Sequence, residues 1–77
     1  MHTLKPGYLV HAKVSLVFDN GIEVAFLGGF KGNIFADHLE KDLKKYKVGE
    51  KMNARIIAID PLSKNISLSL LPHIMKL

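Results

Sequence analysis

Apolar and polar residues alternate along much of this chain with the period of two that is typical of half-buried β-strands. Over residues 8–18 the even positions, from Tyr8 to Phe18, are apolar or small, whereas Lys13 and other polar residues occupy odd positions. This pattern predicts a long first strand with its even-numbered side chains in the core. We interpret four further runs as strands, over residues 22–26, 30–35, 52–59 and 66–70.

The segments between these runs carry the residues expected of turns and of one helical connection. Asn20-Gly21 after the first run tolerates positive φ and indicates a hairpin, and Gly28-Gly29 marks the next turn. Residues 36–47 lack the alternation, but apolar side chains recur there at spacings of four and three. We therefore expect a short helix or helical turns between the third and fourth strands, with a buried face formed by Leu39, Leu43 and Tyr46.

Five short strands with a helical connection after the third favour an all-β fold, a five-stranded Greek-key barrel of the OB type. Closure into a barrel removes the unpaired sheet edges that would otherwise invite aggregation. In the fourth run Met52, Ala54, Ile56 and Ala58 form the expected inward side. An SH3-like barrel or another small barrel is the alternative.

Length and charge narrow the class of partner. The 77 residues suffice for one small domain, and the absence of cysteine excludes disulfide scaffolds and cysteine-based zinc folds. Eleven Lys and Arg against seven Asp and Glu give a net charge of +4, which favours a polyanion such as nucleic acid. Many small basic domains bind proteins instead, so charge alone does not decide between these partners.

Catalytic, metal and membrane chemistry find little support in the sequence. The four histidines are scattered and have no cysteine or carboxylate at ligand spacing, so we expect no metal and no other cofactor. A barrel of this size encloses little volume for a catalytic pocket, and we expect no enzyme. Apolar runs are far shorter than the roughly 18 residues of a membrane span, so we expect no membrane partner.

Several motifs together resemble the S1 RNA-binding domain. The resemblance covers residues 5–70 and leaves 71–77 as an apolar tail or a linker to a following segment. In chain order the motifs are Pro6-Gly7-x-x-Val10-x-Ala12-x-Val14, Asn20-Gly21-x-x-Val24, Lys31-Gly32-x-Ile34, Val48-Gly49-x-x-Met52-x-Ala54-x-Ile56-x-x-Ile59-Asp60 and Ile66-Ser67-Leu68-Ser69-Leu70.

The S1 resemblance implies an OB barrel whose exposed strand face binds single-stranded RNA by stacking and charge. Typical members have two aromatic residues around the second strand, a histidine on the third, an aspartate after the fourth and an arginine before the fifth. Asn20 and Glu23 stand at the aromatic positions, and Asn65 stands at the arginine position. The histidine position holds Phe35, and the aspartate is kept as Asp60.

From this comparison we expect a reduced RNA site. Loss of two stacking platforms costs about 2 to 6 kcal/mol of binding, and Glu23 repels phosphate. Binding is therefore expected to be weak and sequence-tolerant. The residues predicted to contact RNA are Lys13, Lys31, Phe35, Arg55, Asp60 and Lys64.

The degenerate face also resembles repeats of the eukaryotic multi-S1 factors of ribosome biogenesis. That resemblance implies a nuclear, nucleolar protein, with pre-rRNA or small nucleolar RNA and neighbouring S1 repeats or ribosome-assembly proteins as partners. The alternative is a divergent barrel that serves as a protein-interaction or spacer repeat without RNA binding. Its contact surface would include Asn20, Glu23, Ile57, Leu71, Ile74 and Met75.

Overall fold

Five β-strands and one short helix make up the fold in a computed structural model, which describes residues 4–77. Polar segments with glycine, proline or asparagine separate the strands, as the sequence pattern predicts. The elements are β1 (Leu9–Phe18), β2 (Gly21–Phe26), β3 (Phe30–Phe35), β4 (Lys51–Ile59), β5 (Ile66–Ser69) and α1 (Pro72–Met75).

The strands close into a barrel in the order β1-β2-β3-β5-β4, and β4 pairs back onto β1. Neighbouring strands are antiparallel except β3 and β5, which run parallel and share the pair Asn33 and Ser67. The predicted five-stranded Greek-key barrel of OB type is therefore confirmed.

The core is built from the inward positions of the alternating runs. Burial of such an aliphatic side chain contributes about 1.5 to 3 kcal/mol, so these positions provide much of the stability. The largest side chains that are fully buried are Val14, Ile22, Val24, Ile34, Ile56 and Leu68.

A bulge in β1 changes which side chains face the core. Val14 pairs with Val24, but Leu16 pairs with Glu23, so Ser15 is an extra residue in β1. Because one extra residue reverses the alternation, Leu16 is 51% exposed, and its predicted place in the core is wrong. The predicted burial of Tyr8 is also wrong, because Tyr8 precedes β1 and is exposed.

A second bulge, in β4, also changes which side chains face the core. Ile56 pairs with Leu68, whereas Ala58 pairs with Ser67, which leaves Ile57 as the extra residue. Ala58 is consequently exposed, contrary to the prediction, and Ile59 packs against the core instead.

The connection between β3 and β4 consists of two 3₁₀ turns, Ala36–His38 and Leu43–Lys45, rather than one helix. Its predicted apolar face is nonetheless buried at Leu39 and Tyr46. The Tyr46 hydroxyl accepts a hydrogen bond from the backbone N–H of Glu40 at 3.2 Å. Side-chain contacts therefore hold a segment too short and irregular for an α-helix.

The last seven residues continue past β5 into α1, a single helical turn that begins with proline, which is well suited to the first turn of a helix. Among residues 4–77 no helix is long and apolar enough to span a bilayer.

Candidate nucleic-acid interface

The outer sides of β1, β2 and β3 form one continuous surface, which we call the strand face. Backbone pairing aligns outward side chains in rows across neighbouring strands, where they are close enough to interact. The rows of the strand face are Phe18, Gly21 and Phe35 at one end, Glu23 and Asn33 in the middle, and Lys13, Ala25 and Lys31 at the other end.

The aromatic row contains a pair of rings. Phe18 and Phe35 meet edge to face, with their ring centroids 6.3 Å apart and their planes at 82°. Gly21 lies between them in the row, and a Cβ there would collide with the carbonyl oxygen of Ile34. Phe35 remains 41% exposed, so one ring stays available for stacking while the other supports it.

The carboxylate of Glu23 lies in the middle of the strand face and is held in place. The Ser15 hydroxyl donates to Glu23 Oε1 at 2.8 Å, and Lys31 Nζ lies 4.0 Å from the same oxygen. Ser15 is the extra residue of the β1 bulge, so the bulge itself brings this hydroxyl to the carboxylate. The carboxylate offsets part of the Lys31 charge and offers an acceptor beside the aromatic row.

Asp60 organises the loop between β4 and β5. Its Oδ1 atom accepts hydrogen bonds from the backbone N–H groups of Leu62 at 2.9 Å and Ser63 at 3.3 Å. These bonds favour the ionised form and hold the pKa of the Asp60 carboxyl below its usual value. The loop closes where the N–H of Asp60 donates to the carbonyl of Asn65 at 2.9 Å.

An open groove of about 500 Å³ lies between this loop and the turn that joins β2 to β3. Lys31, Asp60 and Lys64 all line it, so the structure brings these three predicted RNA-binding residues together. Phe30 also lines the groove, is 39% exposed and stacks on Phe26 with ring centroids 6.0 Å apart. The groove therefore adds Lys64 and the ring of Phe30 at the lysine end of the strand face, where Lys31 already lies.

Arg55 of β4 lies apart from this surface. It contacts the chain segment that precedes β1 and the segment that follows β5. Its Nε donates to the carbonyl of Ile74 at 2.8 Å, and Nη2 donates to the carbonyls of Met75 at 3.1 Å and Leu77 at 2.9 Å. Its Nη1 donates to the carbonyl of Gly7 at 2.5 Å. One guanidinium thus ties the last residues of the chain to the segment before β1.

Asn20 lies in the turn between β1 and β2, beside the aromatic row. It is exposed, and its carbonyl accepts a hydrogen bond from the N–H of Ala36 at 2.7 Å. The structure therefore gathers Lys13, Lys31 and Phe35 on the strand face, Asp60, Lys64 and Asn65 at one end, and Asn20 at the other. Phe18 was missed because the alternation placed it in the core, and nothing in the pattern signalled the bulge.

Metal-ligating residues are not clustered in the part of the chain that the structure describes. No group of three or more His, Asp or Glu side chains there is close enough to hold an ion. Of the histidines, His38 has its Nδ1 atom 2.9 Å from the hydroxyl of Ser69, which is fully buried. This contact joins the connection between β3 and β4, which contains His38, to β5, which contains Ser69.

Sequence comparison relates the chain to proteins of rRNA biogenesis. No family model matches the sequence. Similar curated proteins include the rRNA biogenesis protein RRP5 of Arabidopsis thaliana, 38% identical over 78 residues, and the Protein RRP5 homolog of Mus musculus, 36% identical over 73 residues. Each alignment covers 94% of this chain, and the chain spans about 4% of the length of either relative.

Solved structures share the fold at lower identity. A chain of the a/eIF2alpha-aDim2p-rRNA complex from Pyrococcus horikoshii superposes with a TM-score of 0.80 at 22% identity, over 97% of this chain and 51% of that chain. An uncharacterized protein from Methanocaldococcus jannaschii gives a TM-score of 0.80 at 18% identity, over 92% of this chain and 97% of that chain. At such identities the likeness establishes the barrel architecture.

Proposed function

We propose that this S1-type OB barrel, which is homologous to a short segment of the RRP5 proteins, binds single-stranded RNA within a protein of ribosome biogenesis. The observation that carries the proposal is the strand face, where an exposed aromatic ring and two lysines occupy rows on the same three strands. Stacking platforms joined to positive charge are the common means by which OB barrels bind single strands.

Phe35 provides the stacking contact in this proposal. A base that stacks on its exposed ring gains about 1 to 3 kcal/mol, and Phe18 fixes the orientation of that ring. Every base has a π-face, so this contact tolerates any sequence. With one principal platform the domain binds weakly.

Lysines of the strand face and the adjoining groove supply the charge. Lys13, Lys31 and Lys64 are exposed and would neutralise phosphates along the strand. Glu23 lowers the net gain at Lys31, because its carboxylate lies 4.0 Å from that ammonium group. Asp60 contributes indirectly, since it orders the loop that presents Lys64.

The names of the similar proteins indicate which RNA and which partners this domain would bind. Proteins named for rRNA biogenesis suggest pre-rRNA or small nucleolar RNA as the ligand, with neighbouring S1 repeats or ribosome-assembly proteins alongside, in the nucleolus. Weak binding by one module becomes useful when several are linked, because linkage raises avidity by about 10² to 10⁴. In this role the barrel binds and has no enzymatic activity.

A protein-interaction or spacer repeat is the second candidate. It is favoured by Glu23, whose carboxylate lies where the S1 resemblance calls for an aromatic ring, and by Leu16, which is 51% exposed beside it. The other apolar residues expected at such a contact surface are partly buried within the domain itself, so they expose less area to a partner. They are Ile57, Leu71, Ile74 and Met75.

Fluorescence anisotropy with a labelled single-stranded RNA tests the proposal directly. We expect saturable binding at low salt that weakens as salt rises, with a slope of log affinity against log salt near −2 for three lysines at about −0.7 each. A duplex of the same length should bind less well, because its bases are not free to stack on Phe35. Absence of binding at low salt would leave the protein-interaction repeat as the function.

A further inference from the structure

The row of lysines on the strand face continues onto a fourth strand. Lys13 is paired across β1 and β2 with Ala25, which is paired in turn with Lys31 of β3. On its other side Lys13 is paired directly with Lys51 of β4. Four consecutive strands therefore place three exposed lysines and one alanine in a single line across the barrel, which we call the basic row.

Within the described residues 4–77, the basic-row lysines Lys13 and Lys51 have no acidic partner at ion-pair distance. The ion pairs among residues 4–77 are Lys31 with Glu23 and Lys41 with Glu50. Glu50 precedes Lys51 in the chain, but its carboxylate accepts hydrogen bonds from Lys41 Nζ at 2.7 Å and from the Lys47 N–H at 3.3 Å. The charge of Lys51 is therefore left available.

Like charges directly opposite each other on paired strands destabilise a sheet. Lys13 and Lys51 form such a pair, and a bound anion between them would relieve the repulsion. The repulsion between the two lysines destabilises the free barrel, and a bound polyanion would remove that destabilisation.

The same two lysines line an open groove of about 520 Å³ on the surface of β1 and β4. His11 and Asn53 extend the polar lining, and these two residues are also paired across the strands. The small side chain of Ala25 leaves the groove open toward the strand face. We call this feature the β1–β4 groove.

We infer that the β1–β4 groove binds the phosphodiester backbone of a single-stranded RNA that leaves the strand face over Ala25, with Lys13 and Lys51 on either side of a phosphate. The inference rests on the proposed function and extends the RNA path by one strand. Neighbouring strands lie about 4.8 Å apart, so the row spans roughly 14 Å from Lys31 to Lys51, the reach of a few nucleotides. The basic row shares the strand face with the exposed ring of Phe35, which favours RNA over an acidic protein segment.

The test compares two oligouridylates, one of five nucleotides and one of ten, on the 77-residue chain and two variants. Lys51→Gln removes the outer charge of the basic row, and Lys44→Gln removes one exposed charge from the connection between β3 and β4. We expect Lys51→Gln to weaken binding of the longer RNA by about two- to fivefold, the range of an exposed ion pair. Its salt slope should fall by about 0.7 in magnitude. Binding of the shorter RNA, and both affinities in Lys44→Gln, should change little.

Amide chemical shifts give a second measurement that does not depend on the variant. The longer oligouridylate should shift the signals of His11, Lys51 and Asn53, and the shorter one should leave them in place. If Lys51→Gln and Lys44→Gln have equal effects and these amides do not move, the inference falls while the proposed function stands. If the unmodified chain binds neither RNA at low salt, both fall. A glutamate-rich peptide that shifts these amides as strongly as RNA would overturn the assignment to RNA.

Discussion

Phe18 and Phe35 meet edge to face in the row that also contains Gly21, with ring centroids 6.3 Å apart. The bulge at Ser15 makes this contact possible, because it turns the end of β1 so that Phe18 shares the outer surface with Phe35. An aromatic platform is thus present on the strand face although Asn20 and Glu23 stand where the S1 resemblance calls for rings. Phe35 stands at the histidine position of that resemblance, and Phe18 adds a ring from outside the motif.

Replacement of the exposed ring should weaken RNA binding strongly. We expect Phe35→Ala to reduce affinity for a single-stranded RNA by about 5- to 150-fold, which corresponds to loss of one stacked base. Tyr8→Ala is a matched control, because Tyr8 is 45% exposed, close to the 41% of Phe35, and lies outside the strand face. Equal losses in the two variants, measured by anisotropy titration, would rule out Phe35 as the platform.

Gly21 should not tolerate a side chain. A Cβ there would lie against the Ile34 carbonyl oxygen and 2.9 Å from the Phe35 Cα, so the backbone of β3 would have to move. We expect Gly21→Ala to lower the free energy of unfolding by about 1 to 3 kcal/mol in chemical denaturation. Gly29→Ala, where a Cβ would meet nothing within 4 Å, should be neutral or slightly stabilising. A neutral Gly21→Ala would mean that the close contact between Gly21 and the backbone of β3 is absent.

Arg55 should act on the end of the chain more than on RNA. A lysine keeps the charge but cannot spread donors over the four carbonyls that the guanidinium reaches, so Arg55→Lys should speed amide exchange at Met75 and Lys76. We expect a loss of about 1 to 2 kcal/mol in unfolding free energy and little change in affinity for a short RNA. Lys76→Gln serves as a control for charge in the same segment. A large loss of RNA affinity in Arg55→Lys, with the exchange rates unchanged, would place Arg55 in the RNA site.

The loop between β4 and β5 should depend on pH through Asp60. Because folding lowers the pKa of this carboxyl, its contribution is present above the unfolded-state value of about 3.9 and is lost as the pH falls through the lowered value. We expect Asp60→Ala to be less stable than the unmodified chain at neutral pH, and the difference to shrink in acid. NMR titration of the Asp60 carboxyl measures the shift itself. A pKa at or above the usual value would contradict the hydrogen bonding to Leu62 and Ser63.

Much of the architecture could be predicted because alternation and turn residues are local signals. Ile22, Val24 and Ile34 follow the strict period of two and lie in the core as expected. Apart from Tyr8, which precedes β1, the errors in predicted burial occur at the two bulges, where Ser15 and Ile57 are the extra residues. A bulge depends on how two strands pair, and the pattern along one strand does not contain that information.

The candidate site was predictable to the extent that it follows from the S1 motifs. Lys13, Lys31 and Phe35 were proposed from sequence, and the structure places them on the same face. The outward position of Phe18 could not be predicted without knowledge of the bulge in β1. The hydrogen bonds of Arg55 required knowledge of where α1 packs, which is a tertiary contact with no signature in the sequence.

An NMR titration of the 77-residue chain with a short single-stranded RNA, at low and at physiological salt, decides whether the strand face binds RNA. We expect shifts concentrated at Phe18, Lys31 and Phe35 that diminish as salt rises, because stacking on the aromatic row and phosphate contacts with the lysines act together. If no signal on the strand face moves at low salt, the barrel does not bind RNA, and the proposed function is wrong.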